Sequence, residues 1–281
     1  MFVILSDSRF QVIHLDNQGV SEARNVGLFH SKAQYIYFID SDDYLHPQIL
    51  ELLYNTLITT KCSLAMTMGV RTFIGEDPIT TLLKQSDLTY EIINQSQIIE
   101  RLFGLAEEEI QYQVVWNKLY SKDIIKNIRF KNTASEDTDF NIRIYLSCKD
   151  MAIINNIPMY YWIQRNNSIT HQINKRFVDN IESYYHIYNY IPIENQSYRG
   201  KCLFKLYKRM LNVRYYAYKN KGIKDYTKEL FKFVHSIVFY DFFKNKTINL
   251  IYKIGIIIFI YIPYIYDIVM IYYEKKTFNN K

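Results

Sequence analysis

The sequence predicts an α/β fold followed by a helical region, and three observations carry that reading. A strand, a turn, a helix and a second strand follow one another between Gln11 and Ile39. The second strand, Tyr35 to Ile39, is apolar without alternation, the pattern of a strand covered on both faces in a mostly parallel sheet. From about Gln172 onward the strand-turn rhythm gives way to long stretches of helical spacing rich in Tyr, Lys and Phe.

Taken in order, the first predicted strand is Gln11 to Leu15. It ends at a turn, Asn17 to Gly19, and a helix opens near Ser21. After Tyr35 to Ile39 comes Asp40-Ser41-Asp42-Asp43, a strand-to-helix crossover, and sheets of this kind bind ligands outside the carboxyl ends of their strands. Pro47 suits the first position of an amphipathic helix over Gln48 to Thr59. Leu64 to Val70 and Met151 to Ile154 read as further strands, and Gln97 to Phe103 and Thr138 to Ser147 as helices. The change of character near Gln172 divides the chain into a sheet domain, residues 1–172, and a basic, aromatic helical region, residues 173–281.

Composition supports long helices and buried strands. Of 281 residues 49% are apolar and 22% charged, with 27 Tyr and 17 Phe against 8 Gly and 5 Pro, which excludes disordered, collagen-like and loop-rich designs. Cys62, Cys148 and Cys202 are widely spaced and odd in number, so neither a zinc site nor a disulfide framework is predicted. Charge is divided unequally: residues before Arg199 hold 17 basic and 23 acidic side chains, and the rest hold 17 and 5. A basic appendage on an acidic body points to a polyanionic partner.

Two features carry chemistry. In an extended segment Asp40 and Asp42 point the same way, with Cα atoms roughly 6 to 7 Å apart, and can converge on a hard divalent cation that completes its shell with water and substrate phosphates. Asp43 is placed to cap the following helix. Upstream, Arg24 stands in the first turn of its helix, where the dipole costs it roughly 0.3 to 1 kcal/mol. A nearby anion would offset that: a bound phosphate at the helix N-terminus, or a protein carboxylate such as Glu22.

The run Arg9 to Leu45, with Asn17-Gln18-Gly19, Ala23-Arg24-Asn25 and Asp40-Ser41-Asp42-Asp43, resembles the central segment of family 2 glycosyltransferases of the GT-A fold. The resemblance continues in order through Trp116-Asn117-Lys118-Leu119-Tyr120, Ile128-Arg129-Phe130, Glu136-Asp137-Thr138 and Arg165-Asn166-Asn167-Ser168. It implies an inverting transfer of a sugar from a nucleotide donor, usually a UDP-sugar, to the hydroxyl of a saccharide or lipid-linked saccharide acceptor. It also implies Mg2+ or Mn2+ as cofactor. Asp42 would hold the metal on the diphosphate, aided by Asp40, and Asp137 would be the general base. Asp43 and Glu136 would support them, Arg24 and Asn25 would lie near the donor, and Arg165 and Ser168 would steady the departing diphosphate. Trp116 is read either as an apolar platform under a sugar ring or as ordinary core.

The family's opening strand-helix-strand unit, with its nucleobase-gripping loop, is not found in this sequence, so the sheet is expected to be truncated at its N-terminal side. Two readings follow: a transferase of bacterial surface polysaccharide, or a non-catalytic remnant acting at a membrane surface. At the other end, Ile254 to Tyr273 is apolar except for Gly255, Pro263 and Asp267, and lysines flank it. It favours attachment of residues 251–274 to an anionic membrane surface over spanning, at the cytoplasmic face of the cell membrane. Nucleic acid is not expected as a partner, because no DNA- or RNA-binding motif accompanies the Tyr-Lys interleaving.

Overall fold

The computed structural model describes residues 7–76, 78, 80–104, 109–164, 175–219 and 239–262. Six strands form one sheet: β1 (Tyr35–Tyr37), β2 (Tyr44–Leu45), β3 (Leu64–Phe73), β4 (Tyr90–Asn94), β5 (Lys118–Ser121) and β6 (Asp150–Gln164), in the order β1-β5-β3-β6-β2 with β4 also on β6. The helices are α1 (Val20–His30), α2 (Ile49–Thr60), α3 (Gln95–Leu102), α4 (Glu109–Gln113), α5 (Lys122–Ile125), α6 (Glu136–Tyr145), α7 (Lys175–Tyr190), α8 (Gln196–Lys219), α9 (Phe239–Lys244) and α10 (Leu250–Tyr261).

The predicted α/β class is found, but the sheet is mixed rather than mostly parallel. Only β3 and β6 pair in parallel among the described strands; β1 with β5, β5 with β3, β2 with β6 and β4 with β6 are antiparallel. The helical crossover does return β3 in the direction of β1, as a βαβ pattern requires. What local pattern could not reveal is that β5, a late segment, inserts antiparallel between them. The strand predicted at Gln11–Leu15 is absent: Val12 and Leu15 are about half exposed, and no described strand pairs with them.

Sequence explains most elements directly. Helix α2 buries Ile49, Leu52, Leu53, Thr56 and Leu57, a single face at helical spacing, and begins two residues after Pro47. Helix α3 opens on a capping box in which the Asn94 side chain accepts from Gln97 N–H and the Gln97 side chain answers at Asn94 N–H. Strand β6 runs on well past the predicted Met151–Ile154, and its register with β3 shifts around Met68.

Under the crossover after β1, Phe38, Phe130 and Phe140 pack edge to face and stacked, with Phe130 and Phe140 nearly parallel at 4.0 Å. This cluster fixes three chain segments relative to one another: Phe38 is two residues before Asp40, and Phe140 is three after Asp137. Helices α7 and α8 contribute Ile181, Tyr184, Leu203 and Leu206 to the same apolar core, so the two regions of the chain share one interior.

Candidate active site

Arg24 is the hub of the site. Its side chain is 12% exposed, and it donates to Asp137 Oδ1 at 2.5 Å and to Asp40 Oδ1 at 3.0 Å, with Glu136 Oε1 at 4.0 Å. The Phe130 ring lies 5.2 Å from the guanidinium carbon. Burial opposes the charge on Arg24, but Asp137, Asp40 and Glu136 more than offset it and hold its pKa above the ordinary value. With α1 beginning at Val20, Arg24 is its fifth residue rather than part of the first turn, and the anions that partner it are three carboxylates from two distant segments.

Helix α1 can present Arg24 this way because both of its flanks are tied down. Gly19 precedes it at φ 92, a conformation that favours glycine, and its N–H donates to Asn17 Oδ1. Ser21 Oγ donates to the Lys131 carbonyl. Asn25 does not point into the site: its amide N–H donates to the Phe130 carbonyl and its carbonyl accepts from Phe130 N–H, a two-way clamp on the backbone.

Asp137 sits in the first turn of α6 and does not cap it; the N-cap is Ser135. Its Oδ2 accepts from Val115 N–H at 3.3 Å, and the side chain is 20% exposed. Burial, with Glu136 and Asp40 adding negative potential, outweighs Arg24 and the Val115 hydrogen bond and pushes its pKa up to about 6. A carboxylate so poised can accept a proton near neutrality.

The turn Asp40–Asp43 is closed by Asp43 N–H donating to the Asp40 carbonyl. Asp43 Oδ2 accepts from the Tyr160 hydroxyl at 2.6 Å and Oδ1 from Ile163 N–H at 3.0 Å, while Asp40 N–H donates to the same Tyr160 oxygen. Asp43 therefore locks the turn onto β6 rather than capping α2. Burial raises its pKa despite those donors. Asp42 is exposed and lines a cleft of about 400 Å³. A second cleft, about 600 Å³, lies between the start of α1, residues 132–134 and α7, with Glu136 in its wall.

Among the described residues no three His, Cys, Asp or Glu converge as a complete metal-ligand set. The donor chemistry nevertheless suits a hard divalent ion of the kind that takes one or two carboxylates and leaves the rest of its shell to water and phosphate: Asp42 offers an exposed carboxylate, and Asp40 is shared with Arg24. Arg165 and Ser168 lie outside the described residues. Trp116 is 5% exposed and stacks on Tyr160 at 4.1 Å, beneath the turn rather than open to a ligand.

Sequence reasoning missed the layer behind the carboxylates. Lys118 is fully buried, and its Nζ donates to the Gln111 and Val114 carbonyls and to Asn117 Oδ1. Asn117 in turn donates to Thr67 and Gln111. These bonds fix the segment that carries Val115 N–H to Asp137. The signal was visible as Asn117-Lys118, a polar pair inside an apolar run. Tyr160, which ties down Asp40 and Asp43, had no such signal.

Residues 2–129 match the family described as Glycosyl transferase family 2. Among curated relatives, the chain is 28% identical over 251 residues to the poly(ribitol-phosphate) beta-N-acetylglucosaminyltransferase TarP of Staphylococcus aureus (strain N315), covering 86% of this chain and 71% of TarP. It is 26% identical over 162 residues to glycosyltransferase GlyA of Streptococcus pneumoniae serotype 4, covering 57% of this chain and 23% of GlyA. The chain spans half or less of the length of the first two curated relatives it matches. Among solved structures, S. aureus TarS 1-349 in complex with UDP-GlcNAc superposes with a TM-score of 0.53 at 17% identity, over 70% of this chain and 55% of that one, a likeness of fold.

Proposed function

Because residues 2–129 match glycosyl transferase family 2, we propose that the chain transfers a sugar, with inversion, from a nucleotide-diphosphate donor to an acceptor hydroxyl in the synthesis of a bacterial surface polysaccharide. The observation that carries this reading is the Arg24 hub. One guanidinium holds Asp40, at the end of the β1 crossover, and Asp137, at the start of α6, within hydrogen-bond reach. That contact supports reading Asp40, two residues before Asp42, and Asp137 as parts of one site.

In this reading Asp137 takes the proton of the acceptor hydroxyl, for which a pKa of about 6 leaves it ionised at neutral pH. Asp42, with Asp40 beside it, would hold Mg2+ or Mn2+, which supplies charge neutralisation for the leaving diphosphate. Arg24, already paired with Asp137 and Asp40, orients these two carboxylates and is not available as a direct ligand of the donor phosphates. Glu136 adds negative potential at the base, and Asp43 keeps the acidic turn in place. Arg165 and Ser168 are assigned to the diphosphate on the family resemblance. S. aureus TarS 1-349, whose fold this chain shares, forms a complex with UDP-GlcNAc, so a UDP-sugar is the first donor to assay.

We assign α10 to the cytoplasmic membrane surface. Leu250, Ile254, Ile257 and Tyr261 recur along one side of it, each at least 36% exposed, while Ile256 on another side is buried. No helix among the described residues is long and apolar enough to cross a membrane. The apolar stripe and the basic charge of the region suit insertion into an anionic interface.

The test of the transferase reading is UDP release from UDP-sugars with Mg2+ or Mn2+. Turnover is expected to need the metal and to be lost in Asp42→Ala and Asp137→Asn. Retained turnover in either variant removes that residue's role.

A further inference from the structure

The cleft beside Asp42 has a second kind of wall. Tyr44, Phe73 and Ile74 line it at 57%, 60% and 78% exposure, together with Glu76 and Ile163. Large apolar side chains grouped beside a polar cleft mark a binding surface more often than isolated ones do. These three are also held in place. Tyr44 is in β2, paired with Tyr161, and Phe73 ends β3, paired with Gln164, so both flank the C-terminal end of β6. Beyond Phe73 the chain reverses in a tight turn: Glu76 N–H donates to the Phe73 carbonyl, Phe73 N–H donates to Glu76 Oε2 at 2.8 Å, and Gly75 takes φ 98.

We propose that Tyr44, Phe73 and Ile74 form a shelf for a pyranose ring of the saccharide acceptor; this rests on the transferase reading above. A pyranose has an apolar C–H face and a rim of hydroxyl groups. The shelf offers aromatic and aliphatic surface to the first, and the Glu76 carboxylate at its edge accepts hydrogen bonds from the second. The cleft, about 400 Å³, falls within the range of roughly 300 to 1,000 Å³ usual for small-ligand sites. The role that Trp116 cannot fill, being buried under Tyr160, thus falls to side chains that are open to solvent.

The experiment is saturation-transfer-difference NMR on the full chain with Mg2+. The probes are methyl β-D-glucopyranoside, methyl β-D-galactopyranoside, methyl N-acetyl-β-D-glucosaminide and, separately, UDP. At least one glycoside is expected to receive saturation at its ring C–H protons. That signal should fall at least threefold in Phe73→Ala and in Tyr44→Ala, and persist in Phe29→Ala, an exposed aromatic on α1. Circular dichroism melts confirm folding of each variant. No glycoside signal in the wild type, or full signal in the Tyr44→Ala/Phe73→Ala double variant, overturns the shelf. So does loss of the uracil signal of UDP in place of the glycoside signal, which would make the shelf a nucleobase site. Glycoside signals that depend on Phe73 in a chain that shows no saturation of UDP would uphold the shelf and count against the transferase reading.

Discussion

Replacing Asp137 by Asn tests the electrostatics of the hub on its own terms, without any substrate. Burial holds the Asp137 carboxyl at a pKa of about 6, against 3.8 for an ordinary aspartate. Between those values the folded chain keeps a proton that the unfolded chain has released, so stability falls as pH rises through the window. At 1.36 kcal/mol per pKa unit, the ionised carboxylate costs about 3 kcal/mol above pH 7. Because one-fifth of the side chain is exposed, solvent screening trims that figure toward about 2 kcal/mol. Asn has nearly the shape of the protonated acid, but its single acceptor oxygen can serve only one of the two donors; turned to Arg24, which also keeps Asp40 and Glu136, it gives up the longer bond from Val115 N–H. In urea unfolding at pH 7.5, with the lost Val115 hydrogen bond taken off, Asp137→Asn is therefore expected to be about 1 kcal/mol more stable than the wild type, the advantage disappearing as pH falls below about 4. A gap independent of pH, or a variant less stable at pH 7.5, would refute the account of Asp137 as a carboxylate held ionised at a cost.

The same pKa predicts that kcat/KM of the active protein rises with pH through about 6, and that Arg24→Met moves this limb upward, because Arg24 is the cation that lowers the pKa of Asp137. A pH profile unmoved by Arg24→Met would contradict the hub. Lys118→Met leaves the Gln111 and Val114 carbonyls and Asn117 Oδ1 without their donor; a loss of about 3 kcal/mol in urea unfolding is expected, and a loss under about 1 kcal/mol would mean that the segment is held without it. Truncation after Asn249 is expected to abolish flotation with anionic vesicles and to leave little binding to neutral ones; undiminished flotation would free α10 from that role.

How much of this was legible in the sequence varied with the range of the interaction involved. Helix α2 was readable to within a residue, because its five buried positions repeat at helical spacing over one local stretch. The acidic turn, the helix-borne arginine and the Glu136-Asp137 pair could be found one by one, since each is a short pattern. Their convergence on Arg24 could not, because Asp137 is 113 residues away in the chain. Gln11–Leu15 shows the opposite failure: its pattern is that of a strand, but a strand exists by its ladder, and no described neighbour pairs with it. The mixed sheet was hidden for a related reason, since β5 finds its place between β1 and β3 through contacts that no local periodicity encodes.

Gly69 lies in β3, well outside the cluster of carboxylates, with its N–H and carbonyl both bonded to the Gln111 side chain. A methyl group there would fall 2.4 Å from Trp116 Cζ3. The indole has little room to yield, because the Tyr160 ring lies stacked against it at 4.1 Å, and the far end of that ring grips Asp43 and the backbone of Asp40. The three rigid bodies act as a pushrod: one added carbon in the middle of a strand, costing about 1 to 3 kcal/mol in overpacking, would be delivered as a displacement of the acidic turn. An alanine at this remote position should therefore register in turnover as well as in folding stability.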